Sequence, residues 1–563
     1  VIPAATNGLP ITGIGAAVFF GKSGLRQVTI PASITNIGDK AFAACFDMTN
    51  ITVHPANLNY TSTDDVLFDK TLATLIQFPA GKAGAYTIPN NVTAIGNEAF
   101  YNCASVTNLT FGENVRNIGD AAYYLCFGLT SVTIPGSVTN IGPLAFFWTG
   151  LTNISVTETN QFYASVDGVL LDKSLERLIQ YPSQKAGDYT MPDSVTTLSD
   201  YALANCPNLK TITFGNHVAT IPDNCFAQCA SLTEVNLSAS ITNIGNAAFH
   251  SCVNLTNLTM GNGIKTVGDS AFAYCYQLPT VTLPNSVTSI GADAFSTCLN
   301  LANVTIGASV TNIGSYAFYN CLKLTQVALP PHLTHLGYQA FLTSGLTNLT
   351  IPDSVTNFGD APDSEGYNFA GCVSLVSATL PSNLTRIPPG LFAGCTSLQH
   401  IVIPQAVTNI AAEAFDTCTA LTSLIIPGTV RNIEAAAFAM CLNLETIFLL
   451  GNPPVLGSQV FLDDSELQVY YLPGATGWGA TLGDRPAALW NPQATSFSTA
   501  GEQFGFNLAG PANATLVIEA ATNLHNPIWL PVATNVLSEN GTQFFSDPQA
   551  TNHNRRFYRF RSP

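Results

Sequence analysis

A motif that returns every 23 residues is the strongest constraint on how this chain can fold. Its most regular marker is a cysteine, with a phenylalanine three residues earlier in every unit of the regular series but the first, where Leu203 takes its place. The series comprises Cys206, Cys229, Cys252, Cys275, Cys298 and Cys321, and after an irregular stretch it resumes with Cys372, Cys395, Cys418 and Cys441. A fixed period of this length predicts a solenoid, in which each unit buries its apolar face against its neighbours.

Composition supports stacked repeats and argues against nucleic acid as a partner. Hydrophobic residues make up 47% of the chain and charged residues only 10%, so Thr, Asn and Ser must supply most of the polar surface. The formal net charge of -16 disfavours nucleic acid, because phosphates require clustered Lys and Arg. No apolar run approaches the ~20 residues of a membrane-spanning helix. The first residues, Val1-Ile2-Pro3, leave open whether a signal peptide has been removed.

The first half of a representative unit predicts one short strand. Leu278, Val281 and Leu283 have the spacing of a strand whose inward side chains alternate at its end. Pro284 then ends the hydrogen-bonded ladder, because proline has no N–H to donate.

The second half of the unit predicts a second extended segment and a turn. Val287 and Ile290 point inward from the extended segment, and Gly291 reverses the chain. Phe295 and Cys298 then lie on one short helical turn on the far side. Burying a phenylalanine contributes ~1.5–3 kcal/mol, so this ring is expected to be the main stabilising contact of each repeat.

The cysteines are expected to act as packing residues. Thirteen of the 14 occupy one repeat position, and the same position also accepts Thr149 and Ser344. A site that tolerates these substitutions selects for a small buried side chain. Free cysteine often acts as such a side chain. Disulfides remain an alternative, because an exported protein would meet an oxidising environment.

Three irregularities interrupt the repeat. Hairpin-like insertions are predicted near residues 55–82 and 158–185, which resemble each other, with strands joined by a turn at Asp167-Gly168 and projecting from the solenoid. An acidic insertion at residues 360–366 delays Cys372.

The unit L-x-x-V-x-I-P-x-S-V-T-x-I-G-x-x-A-F-x-x-C resembles the BspA-type leucine-rich repeat of bacterial surface proteins, from about Leu9 to Pro473. The resemblance implies an α/β-type repeat solenoid, mostly β with short helical turns. It also implies export or surface display, with a role in adhesion or protein binding. The matching positions are scaffold residues, so no functional site carries over.

A change in composition predicts three segments: a solenoid over 1–473, a Gly/Pro-rich linker over 474–492, and a small all-β, immunoglobulin-like sandwich over 493–563. The last segment is similar to C-terminal modules of exported bacterial repeat proteins, which implies a role in capping, anchoring or sorting. Its basic end is interpreted either as a solvated final strand or as a docking site for an anionic envelope component or the acidic solenoid. The basic residues are Arg555, Arg556, Arg559 and Arg561.

Motifs for catalysis, cofactors and metals do not emerge from the sequence, so a non-enzymatic protein without cofactor is expected. Cys225 lies at an ordinary repeat position beside Cys229, and His332 and His335 are interpreted as surface residues. Aspartates in the two insertions are interpreted as turn residues, with Ca²⁺ binding as the alternative. These are Asp64, Asp65, Asp69, Asp167 and Asp172.

The outward side chains of the first strand form the candidate binding surface, in two parts. In the middle repeats they form polar columns, interpreted as sheet-stabilising pairs or as a surface for a polar polymer or protein: Asn257, Thr259, Thr282, Asn303 and Thr305. Towards the end the second column becomes apolar, in the pairs His400/Val402, Ser423/Ile425, Thr446/Phe448 and Val469/Tyr471. That apolar column is expected either to seat the C-terminal module or to bind a foreign partner.

Three functions remain open on the sequence alone. The first is a secreted or surface-displayed adhesion or ligand-binding protein, whose partner is a protein or a glycan. The second is a structural spacer or envelope-layer protein that presents the C-terminal module. The third is a carbohydrate-binding protein.

Overall fold

A computed structural model of the chain describes residues 2–359, 365–498, 504–511, 514–525, 527–538, 540–553 and 555–561. It contains two compact units. Unit 1 comprises Val1–Leu346 and Ser354–Asn368, and unit 2 comprises Thr347–Asp353 and Phe369–Pro563. The division falls inside the repeats and not at residue 473, so the sequence-derived domain limits stay a prediction. Residues 360–364 of the acidic insertion lie outside the described residues.

The repeats form a β-solenoid whose coils stack in register, as the period predicts. Each coil contributes a first strand at the L-x-x-V-x-L segment, and strands of successive coils pair in parallel. Proline ends this strand as expected, since the strand Thr280–Thr282 stops before Pro284. The first strands of unit 1 are Gln27–Ile30, Asn50–Val53, Gly84–Thr87, Val106–Thr110, Ser131–Ile134, Asn153–Val156, Gly187–Thr190, Leu209–Thr213, Glu234–Leu237, Asn257–Met260, Thr280–Thr282, Asn303–Thr305 and Gln326–Val327.

A shorter second strand forms the next side of each coil. It corresponds to the predicted second extended segment and pairs in parallel with its equivalents. In unit 1 these strands are Gly13–Ile14, Asn36–Ile37, Thr74–Gln77, Ala94–Ile95, Asn117–Ile118, Asn140–Ile141, Arg177–Gln180, Thr197–Leu198, Thr220–Ile221, Asn243–Ile244, Thr266–Val267, Ser289–Ile290, Asn312–Ile313 and His335–Leu336. Before the first coil, Ala5–Thr6 pairs antiparallel with Leu9–Pro10.

Unit 2 continues the same pattern. Its first strands are Asn348–Thr350, Ser377–Thr379, His400–Ile401, Ser423–Ile426, Thr446–Leu449, Gln468–Tyr471 and Arg485–Leu489. Its second strands are Arg386–Ile387, Asn409–Ile410, Asn432–Ile433 and Val455–Leu456. Arg485–Leu489 pairs in parallel with Gln468–Tyr471 and antiparallel with Thr481–Leu482, so the segment predicted as a linker extends the sheet by one more strand. Glycines and prolines flank this strand and Pro486 lies within it, so the sequence does not suggest a strand here.

The C-terminal segment, residues 493–561, forms two three-stranded antiparallel sheets. One contains Gln493–Ser498, Phe504–Ala509 and Thr542–Asp547, and the other contains Leu530–Val536, Thr515–Ala521 and Phe557–Arg561. A 3₁₀ turn at Ala550–Asn552 is the one helical element of the described residues. Accordingly, no helix in the described part of the chain could cross a membrane. We call residues 493–561 the C-terminal module; its assignment as an immunoglobulin-like sandwich stays a prediction.

The predicted helical turn on the third side of each coil is wrong. Asp293 and Thr297 have positive φ angles of 54° and 58°, which interrupt any helix. The N–H groups of Asp293, Phe295 and Thr297 instead donate to carbonyl oxygens of the next coil at 2.8, 2.8 and 2.7 Å. All three sides of the coil therefore form backbone hydrogen bonds between coils, a pattern that the A-F-x-x-C spacing does not distinguish from one helical turn.

The repeated glycine is required by contact between coils and not by its φ angle. A Cβ at Gly291 would lie 2.6 Å from the backbone N of Asp269, in the preceding coil. The close approach explains why a turn at this position is usually glycine.

Phenylalanine rings stack in runs inside the solenoid, one of which extends from Phe226 to Phe341 in unit 1. Phe295 is fully buried, with ring centroids 5.4 Å from Phe272 and 5.5 Å from Phe318 and the planes within 8° of parallel. Such ring pairs contribute beyond their buried area. The expectation that this ring is a main contact of each repeat is consistent with its burial.

The cysteines have a role beyond size. All 14 are buried thiols, and most ladder thiols donate towards a carbonyl oxygen of the preceding coil, as Cys252 does to Phe226 at 3.2 Å and Cys298 to Phe272 at 3.2 Å. Thr149, at the same position, donates to the carbonyl of Phe146 at 3.0 Å. The position thus selects a small side chain that can donate a hydrogen bond. Burial raises the pKa of the Cys418 thiol to about 12, so the thiol stays protonated and unreactive at neutral pH.

Both insertions contain the predicted strands joined by a turn, but these do not project. The strands Tyr163–Val166 and Val169–Asp172 pair antiparallel around Asp167 and Gly168, whose φ angles of 49° and 74° suit a tight hairpin turn. Val169, Leu170 and Leu171 are fully buried. The equivalent strands of the first insertion are Tyr60–Thr63 and Val66–Asp69. Their apolar side chains are needed inside the solenoid, so the hairpins pack into it.

Replacing a stacked ring should destabilise unit 1. We expect Phe295→Ala to lower the free energy of unfolding by ~3–5 kcal/mol, because the cavity forms between two ordered rings. Urea unfolding followed by circular dichroism measures the change. Phe127→Ala removes a ring that is 53% exposed and serves as the matched control, with a loss well under that value. Equal losses in both variants would contradict the stack.

The cysteine ladder makes a second prediction. Titration with a thiol reagent in denaturant, without reductant, should find all 14 groups, whereas the native chain should react slowly because every thiol is buried. If the denatured chain contained several fewer than 14 free thiols, some of the cysteines would be in disulfides and the ladder would be contradicted.

Candidate binding groove

The polar half of the candidate surface lies on unit 1 and is exposed in register. Asn257 and Thr259 stand on one first strand, and Thr282 pairs across strands with Thr305. The same pairing aligns Thr280 with Asn303. Successive coils therefore present a flat row of hydroxyl and amide groups, which fits either cross-strand stabilisation or contact with a polar ligand.

The apolar half lies on unit 2, where the register of its last pair differs from the sequence interpretation. Val469 pairs with Ile447 and is fully buried, and Tyr470 pairs with Phe448 on the outward side. One residue is missing after Leu467 relative to the preceding coil, and a one-residue shift in a strand exchanges its two faces. The outward pair is thus Gln468 and Tyr470. Tyr471 instead stacks on Trp478, with ring centroids 4.5 Å apart.

The structure divides the apolar column into a covered and an open part. Phe448 and Tyr470 are 7% and 5% exposed, and both lie against Trp490, with ring centroids 5.0 and 5.4 Å away. These rings belong to one apolar cluster with core residues of the C-terminal module: Phe506, Leu508, Ala514, Leu516, Ile518, Leu537 and Phe545. Val402 is 79% exposed and Ile425 is 48% exposed. The column therefore seats the module at one end and remains open at the other.

The open part forms the floor of a groove of about 1080 Å³. Its walls include the outward residues of the adjoining coils and the start of a module strand at Ala514 and Thr515. Four of the sequence-predicted site residues line it: His400, Val402, Ile425 and Phe448. The sequence did not point to the module as the second wall, because that contact depends on the tertiary fold.

The groove carries negative charge. Glu445 and Glu466 line it, and no Lys or Arg is among its lining residues. Neutral polar groups complete the lining, among them Gln399, Gln405 and Thr422. Acidic and neutral polar groups thus lie beside exposed aliphatic side chains, an arrangement that suits ligand binding.

The insertion aspartates take part in turns and surface ion pairs. Asp172 accepts hydrogen bonds from the N–H groups of Glu176 and Arg177 at 2.9 Å, and Asp69 accepts one from that of Thr74. Lys185 contacts Asp167 at 3.2 Å, as Lys82 contacts Asp64 and Asp65 in the other insertion. Within the described residues, no group of three or more His, Cys, Asp or Glu side chains is arranged to hold a metal ion.

Three of the four C-terminal arginines bind acidic residues of their own module. Arg559 and Arg561 each lie 2.7 Å from the carboxylate of Glu519, which is 7% exposed at its side chain. These hydrogen bonds, chiefly that of Arg561, lower the pKa of Glu519. Arg556 contacts Asp547 at 3.1 Å. The basic end is therefore more than a solvated strand.

A buried carboxyl that the sequence reading missed ends the cysteine ladder. Asp464 takes the place one period after Cys441, with only 1% of its surface exposed. Neither carboxyl oxygen makes a hydrogen bond of ordinary geometry. Burial raises the pKa of Asp464 to about 7, against the opposing effect of Arg485. The 23-residue spacing from Cys441 could have identified Asp464 as a residue at the buried ladder position.

Comparison with protein families finds one match over most of the chain. The model described as BspA type Leucine rich repeat region matches residues 8–82, 82–166, 181–278, 242–362 and 365–476. A comparison with curated proteins finds no match.

Solved bacterial repeat proteins are similar to this chain. A leucine-rich repeat protein from Eubacterium ventriosum is 24% identical, with 64% of this chain and 86% of that one covered and a TM-score of 0.44. A leucine rich cell surface protein from Faecalibacterium prausnitzii is 28% identical, with 57% and 85% covered and a TM-score of 0.40. A leucine-rich repeat protein from Bacteroides ovatus is 23% identical, with 64% and 92% covered and a TM-score of 0.46.

The buried carboxyl should make the stability of unit 2 depend on pH. Its pKa in the folded chain, about 7, exceeds the ordinary value of 3.8, so its contribution is fully present below pH 3.8 and is lost as pH rises through about 7. We expect Asp464→Asn to raise the free energy of unfolding at pH 8 by about 1–3 kcal/mol, with little change at low pH. Chemical denaturation at both pH values tests this. Asp484→Asn, at an exposed carboxylate of the same unit, should have no such effect; a pH-independent gain from Asp464→Asn would contradict the assignment.

Proposed function

The chain belongs to the BspA-type leucine-rich repeat family, and from that premise we propose that it is a non-enzymatic, secreted or surface-displayed bacterial protein that binds a macromolecular ligand through its first-strand face. Adhesion is the role that such binding would serve. Within each unit the solenoid supports this face, because backbone hydrogen bonds join successive coils.

The observation that carries this proposal is the pair of exposed aliphatic side chains in the groove. Val402 and Ile425 stand side by side on successive coils, in an outward column that is Thr in many other coils, such as Thr282 and Thr305. Covering two exposed aliphatic side chains in a concave surface removes apolar area from water, which contributes favourable free energy to the binding of a partner. The C-terminal module covers Phe448 and leaves this pair open.

A spacer role is supported by a different observation and is kept as the second candidate. The C-terminal module shares its apolar core with Phe448, Tyr470 and Trp490, so the last coils hold the module firmly. A protein that only presented the module would need this contact and no ligand.

Charge placed on the groove floor should abolish binding. We expect Val402→Asp and Ile425→Asp to remove binding to immobilised extracellular-matrix glycoproteins or to a glycan array, because the carboxylate stays hydrated and prevents apolar contact. Val455→Asp is the matched control, since Val455 is 70% exposed and lies outside the groove. All three variants should keep the wild-type unfolding midpoint.

Two outcomes would decide against ligand binding through the groove. Binding that survives both groove substitutions would place the binding surface elsewhere. No binding by the wild type, with ordered self-assembly seen by light scattering and electron microscopy, would favour the spacer.

A further inference from the structure

We propose that the groove of unit 2 binds a polypeptide segment that carries an aliphatic side chain next to a Lys or Arg. The inference rests on the proposed function, whose ligand it assigns to a chemical class.

The floor of the groove selects an aliphatic side chain. The outward column changes from Thr350 and Thr379, which pair across strands, to Val402 and Ile425 in the next two coils. Hydroxyls give way to branched aliphatic groups in the coils that the groove spans. A ligand side chain lying across Val402 and Ile425 would remove apolar surface from water on both partners.

The rim of the groove selects a positive charge. Glu445 and Glu466 are exposed, line the groove, and form no ion pair among the described residues. By contrast, Glu434 of unit 2 is paired with Arg386, and Glu519 with Arg559. The two groove carboxylates are therefore available to a cationic group of a ligand, in a surface that repels anions.

The remaining lining suits a peptide backbone better than a sugar ring. Gln399 and Gln405 carry both donors and acceptors, which can pair with peptide N–H and C=O groups. Sugars bind well to open aromatic faces, but the rings of Phe448 and Tyr470 are covered by Trp490. A glycan would find hydroxyl contacts here without a stacking platform.

Peptide selection on the full chain tests the proposal. A phage library of random peptides would be panned against the wild type after depletion on Val402→Asp, and enriched peptides would be synthesised and measured by fluorescence anisotropy. We expect enriched peptides with an aliphatic residue beside Lys or Arg, and weaker binding at high salt. The double variant Glu445→Lys with Glu466→Lys should weaken binding by roughly 3- to 30-fold, as the loss of two exposed ion pairs implies.

Controls separate charge from folding. Glu158→Lys reverses an exposed carboxylate on unit 1 and should leave affinity unchanged, and all variants should keep the wild-type circular dichroism spectrum. Replacing the Lys of an enriched peptide by Glu should restore the peptide's affinity for the double variant and weaken its binding to the wild type.

The outcomes distinguish this inference from the proposed function. Two results would overturn the charge assignment while the groove remained a binding site. In the first, the enriched peptides contain no basic residues. In the second, the double variant binds them with unchanged affinity, whereas Val402→Asp does not bind them. Failure to enrich any peptide, with glycan-array binding lost in Val402→Asp, would identify a glycan and overturn the peptide. Absence of both would overturn the proposed function as well.

Discussion

Backbone hydrogen bonding between successive coils is the constraint on which the rest of the structure depends. Each of the three sides of a coil donates to or accepts from its neighbour, including the turn side, where Phe295 bonds to the next coil at 2.8 Å. This contact requires in-register stacking, which brings like residues together. The phenylalanine stack and the row of thiol-to-carbonyl hydrogen bonds follow from that register. The repeat sequence is thus the consequence of one geometric requirement met many times.

Much of this architecture could be predicted from periodicity, because stacking imposes the same residue type at the same position. The two strands of each coil, the buried phenylalanine and the hairpin at Asp167-Gly168 all carry local signals. The third side was mispredicted as helical, since positive φ at residues such as Asp293 leaves no mark in residue type. Buried hairpins were expected to project, because alternating apolar residues do not reveal whether their sheet ends in solvent or in a core.

Only part of the candidate site could be predicted from the sequence. The apolar column was visible as Val402, Ile425 and Phe448, but a one-residue deletion after Leu467 placed Tyr470, and not Tyr471, at its end. The division of that column into a covered and an open part depends on where the C-terminal module docks. Long-range packing of this kind has no local signature. The docked module forms the second wall of the groove, so the same docking makes Glu445 and Glu466 lining residues of a concave surface.

Amide hydrogen exchange, read by mass spectrometry on the native chain, tests the central claim most directly. If every coil bonds to the next on three sides, amides of the turn side, such as those of Asp293 and Thr297, should exchange as slowly as those of the adjoining strands, because all open only when neighbouring coils separate. Exchange of the turn-side amides within seconds, beside protected strands, would contradict it. The coils would then be joined on two sides only, and the register that aligns the phenylalanines and thiols would need another cause.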